Sequence, residues 1–561
     1  MNLLSLPPET IGQICDYIAA DDLPSVYELA LASKQSYAIA GRHRFPQVYL
    51  SIASREKLAR DVKRWSRILQ RMSTFTSVRH LVVRGKMPPT EDDRGQTRTL
   101  EEDTNHGCHE DELTCLSNYY AESINGVFNH VPEPQHDSWG PLRTLVSQLS
   151  GLCDITWSCE TLFPPCLLEI LHQSMPKCRL HIMAFRLPSL CYKADNPQNI
   201  DAYEYELATS PSISSILVPL NHQNDGGNLD YNGEAAIELA NGLAPNLTNL
   251  HLVFEPSSAH WLDQTPPDRP PWRGFFLNRP SCKDDSFNGH LRDLSLCLPL
   301  DDTRQKAFSE LRTLRLWGTS LKALSLNLLK KLTSYSFPVL ESMALDFGHT
   351  RDENSIRLLD EAGGDFISSL PPLKSVRLSG TIRTKVFQAT LEHHSKSLRK
   401  LSLISEKRVK DENSVTTDWL VQTRAACPNI QELHFTMFMT NGDDEKEIYK
   451  AIRGFSCLTT LKLLIICIGR PEERTSDDPN EHPRFFGNIE VNESLAETLF
   501  LVTLARQSSS LQRLDVEFHA MYNSSPGCYQ SVHRRWRCIR MKDGVIVRPI
   551  GHIDQHKRKL F

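Results

Sequence analysis

The feature that most constrains this chain is a recurring phrase, Leu-x-x-Leu-x-Leu or a close variant. It stands at Leu247/Leu250/Leu252, Leu291/Leu294/Leu296, Leu311/Leu314/Leu316, Leu340/Met343/Leu345 and Leu373/Val376/Leu378. It returns at Leu398/Leu401/Leu403, Ile430/Leu433/Phe435, Leu458/Leu461/Leu463 and Leu511/Leu514/Val516. The last two apolar positions of each phrase are two apart, so both point to the same face of a short strand. The first turns the chain inward ahead of that strand. A unit of this kind leaves an apolar face open until a neighbour stacks on it.

Between the strands the sequence predicts helices. Thr381 to His394 carries Val386, Phe387, Thr390 and Leu391, and Val415 to Cys427 carries Trp419, Leu420 and Thr423. Pro428 marks a helix end, and Pro338 and Pro371 fall just before their strands. Weaker instances come earlier, at Leu152/Ile155/Trp157 and at Leu180/Ile182, the latter after a helix expected over about Cys166 to Ser174. Successive starts lie mostly about 20 to 33 residues apart, a range that suits leucine-rich repeats with insertions. No regular Asn marks the turns, so the array is degenerate. The insertions are 256–290, with Trp261, Trp272, Phe275 and Phe276; 404–416, which is charged; and 469–492, which is Pro-spaced and acidic. Large aromatics in such a loop either fold back on the core, the expected outcome here, or anchor an interface.

Composition limits the function classes. Charged residues make up 23% and apolar ones 40%, an ordinary balance, and the net charge of −5 argues against a general nucleic-acid binder. No signal peptide is evident, and no run approaches the roughly 18 apolar residues of a membrane helix. The 15 cysteines are scattered in apolar contexts. That fits reduced thiols in cytoplasm or nucleus rather than a disulfide framework.

The front of the chain is different. Pro7 and Pro8 suit a helix start, and Glu9 sits in the first turn, where the helix dipole favours an anion. Ile11, Ile14, Cys15 and Ile18 then form one apolar face. Val26, Leu29 and Ala30 supply a second stripe, and a third helical piece over about Gln35 to Phe45 is stopped by Pro46. Three helices this short cannot bury much alone and lean on a partner or neighbour. Residues 51–74 read as a helix with Leu58, Val62, Trp65, Ile68 and Leu69 on one face. Residues 86–112 are polar and acidic, and 131–141 reads as a connector.

The front residues resemble the F-box pattern: Leu-Pro-x-Glu, an apolar helix, Asp-Leu, then an apolar run ending in Ser-Lys. The matching residues are Leu6, Pro7, Glu9, Ile11, Ile14, Tyr17, Ile18, Asp22, Leu23, Leu29, Ser33 and Lys34. The slot often filled by Trp holds Ser36, with Tyr37 beside it. Cys166 to His172 with Pro176 to Ile182 is similar to the segment that follows the F-box in many proteins of filamentous fungi. The resemblance implies an α/β fold: an N-terminal three-helix F-box (1–50), a helical linker with an acidic insertion (51–140), then an irregular leucine-rich-repeat-like α/β solenoid (141–530). A basic hairpin and tail (531–561) follow, signalled by Lys542-Asp543-Gly544 between two strand-like runs. Arg534, Arg535, Arg537, Arg540 and Lys542 make that hairpin basic. A solvated face is the expected use; an acidic partner or a phosphorylated substrate is the other.

The same resemblance implies a substrate-receptor subunit of an SCF-type cullin–RING ubiquitin ligase. Leu6, Pro7, Pro8, Ile11, Ile14, Leu23, Leu29, Ser33 and Lys34 would then form the adaptor face or the packing that shapes it. The partners would be the SCF adaptor, through it the cullin and RING subunits, and a target protein, with no nucleic acid and no membrane. The alternative is a leucine-rich-repeat scaffold that binds a partner independently of ubiquitination. No enzymatic role, cofactor or metal is expected. There is no Gly-rich phosphate loop, no Gly-x-Ser-x-Gly elbow and no His-Glu-x-x-His. His106, Cys108, His109 and Cys115 match no common zinc spacing. His393-His394 reads as a helix surface.

Overall fold

The computed structural model describes residues 6–21, 23–40, 46–85, 136–159, 161–193, 195–220, 228–254, 270, 272–276, 289–296, 308–317, 324, 326–348, 352–405, 415–438, 443–468, 493–504, 510–525, 528–541 and 544–550. Contacts divide them into two units, one reaching to Asp293 and one starting at Leu294.

The first unit opens with three helices, α1 (Pro8–Asp21), α2 (Leu23–Leu31) and α3 (Lys34–Ala40). Then come β1 (Gln47–Ile52), α4 (Arg55–Met72), β2 (His80–Gly85), a helix over Gly140–Gln148, β3 (Asp154–Cys159), a helix over Pro165–Ser174 and β4 (Arg179–Ile182). The rest is β5 (Cys191–Tyr192), a helix over Ala202–Ala208, β6 (Ile213–Leu220), β7 (Leu229–Asp230), a helix over Asn232–Glu238 and β8 (Asn249–Phe254). Strands β1, β2, β3, β4, β6 and β8 pair in that order, all parallel. The pair β5–β7 is a separate antiparallel ladder.

The ladder therefore begins at Gln47, far ahead of residue 141. Val48, Leu50 and Ile52 alternate with more exposed neighbours and are buried, the period-two pattern of a strand with one covered face. Pro141 does not end a connector but sits in the first turn of the Gly140–Gln148 helix, where its missing N–H is harmless. Helix α4 buries Leu58, Val62 and Leu69. Ser54 caps its N-terminus by accepting from the Lys57 N–H at 3.1 Å. At Gly85 the chain leaves β2 with φ +119°, and an added Cβ would lie 2.1 Å from the Ile52 carbonyl oxygen on β1. Gly85→Ala is accordingly expected to destabilise this unit by about 1–3 kcal/mol, read as a lower denaturant midpoint with an unchanged slope.

The aromatics of the 256–290 insertion that the structure describes fold back on the first unit. Trp272 packs 5.7 Å from Tyr231, its indole N–H donates to Glu238 Oε2 at 2.8 Å, and Phe275 packs 5.7 Å from Tyr205. Trp261 lies outside the described residues, as do the acidic 86–112 stretch and the 469–492 insertion.

The second unit runs from β9 (Asp293–Leu296) through β10 (Thr313–Trp317), β11 (Ser342–Asp346), β12 (Ser375–Gly380), β13 (Lys400–Ser405), β14 (Glu432–Phe438) and β15 (Thr460–Ile468). It ends with β16 (Arg513–Ser525), β17 (Cys528–Met541) and β18 (Gly544–Pro549). Neighbours in this order are hydrogen-bonded. From β10 to β16 the pairs are parallel; β16–β17 and β17–β18 are antiparallel. Each parallel crossover from β11 on runs through a helix: Glu353–Ser369, Thr384–His394, Thr417–Ala426, Asp443–Ile452 and Glu493–Leu504. Successive helices pack on one another as a second layer. Both units are thus α/β with mostly parallel sheets.

Every apolar position of the nine recurring phrases is buried, none more exposed than Leu458 at 3%. In each phrase the first apolar residue precedes its strand by two positions and the other two face the core. The Asp-Gly signal also falls where a hairpin forms, with Met541 opposite Gly544.

Candidate functional site

Two regions collect the residues the sequence singles out, one in each unit. The first is the front. Ile11, Cys15, Val26, Ala30 and Ala40 form a closed cluster, with Leu6, Ile18, Leu29 and Ile39 packed against it. The three helices therefore carry a core of their own. Ile11 is wholly inside that core, so it shapes the site rather than lining it. Leu6, Ile14 and Leu29 are half-buried, and Pro7 and Lys34 are exposed. Pro8 and Leu23 open α1 and α2; their side chains lie outside the description.

Ser33 has a local task. Its hydroxyl accepts from the Ser36 N–H at 3.0 Å, three residues on, and donates to Ser36 Oγ at 3.0 Å. It is the N-cap of α3. Ser36, in the slot where Trp is common, is fully buried. A small hydroxyl fills that place because it completes the cap pair. On the outside of the front, Tyr17 is 78% exposed and Leu31 is 82% exposed. Exposed apolar side chains of that size are features suited to a partner.

The second region is the polar face of the parallel ladder in the second unit. The residue between the last two apolar positions of each phrase lies on the opposite face of its strand from them, so these residues line up in register. Arg377, Ser402, His434, Lys462, Asp515 and Arg537 stand side by side from β12 to β17. Strands lie about 4.8 Å apart, so side chains on adjacent strands can pair directly.

They do. Glu432 is held between Lys400 and Lys462, each at 3.1 Å. Burial alone would raise its pKa, but Lys462 and Lys400 override it and hold the carboxyl below its usual value. Asp515 is likewise opposed by burial, yet Arg513 and Arg537 keep it below the usual range. Arg537 approaches at 2.9 Å, and Arg513 donates to the same carboxylate. Arg535 pairs with Glu517 at 3.1 Å. Arg377 lies 5.9 Å over the Trp317 ring, a cation–π distance. Ser402 Oγ meets His434 Nδ1 at 3.2 Å, and burial pushes the His434 pKa down to about 4, with Arg377 and Lys462 adding to the shift. At neutral pH this face holds countered charges, one neutral imidazole and one cation on an indole.

Two expectations change. Arg535 and Arg537 are not a free basic patch, because β16 sets Glu517 and Asp515 directly opposite them. His394 is not on a helix surface. It is 1% exposed, its Nδ1 accepts from the Leu373 N–H at 3.3 Å, and its Nε2 faces the Ile367 carbonyl at 3.2 Å. The in-between residues of the phrases were the signal that could have located the polar face, since their alternation is fixed once the apolar positions are assigned.

Three of the more enclosed cysteines are held protonated. Burial lifts the Cys178 and Cys191 thiols to about 12 and Cys427 to about 11, which keeps them protonated. Among the described residues no group of three or more potential ligands could hold a metal, and no helix is long and apolar enough to cross a membrane. His106, Cys108, His109 and Cys115 lie outside the described residues. No protein-family model matches the chain, and no curated protein matches it in sequence.

Proposed function

We propose that this chain is a substrate-recognition subunit of an SCF-type cullin–RING ubiquitin ligase. The front helices bind the adaptor as an F-box, and the strand-and-helix body, a leucine-rich-repeat-like solenoid, binds the target. The partner enzymes transfer ubiquitin; the receptor tethers the target and raises its effective concentration. A tether requires no catalytic residue of its own.

One observation carries the reading. Helices α1 to α3 close their own small core while Pro7 and Lys34, with Tyr17 and Leu31 on the same helices, remain outside. A helical cap whose only task was to seal the end of the strand array would put its large apolar residues against that array.

The test is capture of a purified SCF adaptor by the full chain. Leu6→Ala with Pro7→Ala is expected to weaken capture by at least about tenfold, the size of a hot-spot loss. The circular dichroism spectrum should stay unchanged. Removing residues 1–45 should abolish adaptor capture while target binding persists. Adaptor capture that survives this deletion, or that the intact chain never shows, would leave the ubiquitin-independent scaffold as the better reading.

A further inference from the structure

The outer face of α4 is a ridge of unpaired cations. Leu58, Val62 and Leu69 turn one side of the helix inward. On the opposite side Arg60, Lys63, Arg64, Arg67 and Arg71 are all exposed. They follow one another at steps of one to four residues, and at 1.5 Å per residue the ridge is roughly 16 Å long. Among the described residues none of the five makes an ion pair or side-chain hydrogen bond. With Ile68 they border an open space of about 400 Å³ between their side chains. The helix displaying them is held at both ends, by the Ser54 cap and by Ser73 in the left-handed conformation with φ 51°.

Five like charges on one helical face repel one another, since like-charged pairs three and four apart destabilise a helix. A ligand of opposite charge relieves that repulsion. We propose that this ridge is a docking site for an acidic polypeptide segment, one whose carboxylates recur every three or four residues along a helix. Such a segment repeats its charge at the spacing of the ridge.

Other polyanions fit less well. An anionic bilayer calls for bulky apolar residues flanking the cations. Here Ile68 is half-buried, and the Trp65 indole N–H is tied to the Tyr49 carbonyl at 3.2 Å. A nucleic acid extends well beyond the ridge and meets the rest of a chain whose net charge is −5. A short acidic segment feels chiefly the local field, because exposed charges are screened beyond about 8 Å at physiological salt.

The proposal does not depend on the ubiquitin reading, and its test contains no adaptor. A labelled helical peptide with Glu at every third or fourth position is titrated into the full chain and followed by fluorescence anisotropy. Binding is expected to weaken at least tenfold in Arg64→Glu with Arg67→Glu, and to fall steeply from low to physiological salt. Lys330→Glu with Lys396→Glu, on the second unit, should leave it unchanged. Circular dichroism checks the fold, and Arg64→Gln with Arg67→Gln, expected to give an intermediate loss, serves if the reversal misfolds. Peptide affinity indifferent to these changes overturns the proposal. So does tighter binding of a short DNA duplex, or of vesicles rich in phosphatidylserine, than of the peptide. Binding seen only after removal of residues 88–112 would assign the ridge to the chain's own acidic run and overturn the partner reading.

Discussion

Replacing Trp157 by alanine is expected to destabilise the first unit by about 3–5 kcal/mol, the range for removing a fully enclosed large aromatic. Trp157 is the last apolar position of an early phrase, on β3, and is wholly buried. Its ring packs 5.3 Å from Trp139 and edge-on to Phe163 at 5.2 Å, and its indole N–H donates to the Thr161 carbonyl at 2.8 Å. Alanine would remove the contacts, open a cavity among rigid strands and orphan a buried carbonyl. Native-state hydrogen exchange is the suitable readout, because it reports on one unit at a time. The amides of β3 and β4 should exchange at least about a hundredfold faster, since 1.4 kcal/mol is a factor of ten. Trp157→Phe, which keeps the ring packing and loses the hydrogen bond, should cost only about 1–2 kcal/mol. Near-equal losses for the two variants would mean that the hydrogen bond, not the packing, dominates.

That the chain builds strands at Leu250, Leu314 or Phe435 could be read from the sequence, because the cause is local. Two apolar residues two apart share a face in any strand, and repetition excludes accident. The start of the ladder was harder to see. Val48, Leu50 and Ile52 alternate correctly, but they lie in a single strand between two helices, and only pairing with His80–Gly85 makes them a sheet. The candidate sites divide in the same way. The front stripe of Ile11, Cys15 and Val26 was legible from helical period. That Ser33 caps α3 was equally local, a Ser just ahead of a short helix. Arg535 and Arg537 looked like free cations because Glu517 and Asp515 are 18 and 22 residues away. Only the register of two long antiparallel strands brings them together. His394, by contrast, was legible. It continues the face of Val386, Phe387, Thr390 and Leu391, four and three residues after the last two, so the helical period did mark it as the inward one of the two histidines.

The second large effect concerns acid. Between about pH 6.5 and pH 4 the second unit is expected to lose stability, with His394 and His434 as the identifiable sources. Burial pushes the His394 pKa from 6.5 down to about 4; the Ile367 carbonyl partly offsets this and His393 adds to it. The geometry explains the direction. With Nε2–H donated to Ile367 and Nδ1 accepting from Leu373, the ring is complete when neutral, and a second proton would face the Leu373 N–H. The unfolded chain takes up that proton near pH 6.5 and the folded one only near pH 4, so acid favours unfolding across this window. The contribution is full above pH 6.5. At pH 5 the linkage amounts to about 2 kcal/mol lost, and to about 3 kcal/mol below pH 4. His434, also pushed down to about 4, acts in the same direction. Asp346 and Asp360, raised by burial, act oppositely toward the acid end. The lowered carboxyls Glu432 and Asp515 lose their contribution as pH falls from the usual carboxylate range through their own lowered values. The clean comparison is therefore between wild type and His394→Gln in urea at pH 7 and at pH 5. The variant will be less stable at pH 7, but its further loss on acidification should be smaller by about 2 kcal/mol. Parallel losses in the two proteins would place the acid sensitivity elsewhere and remove His394 as its source.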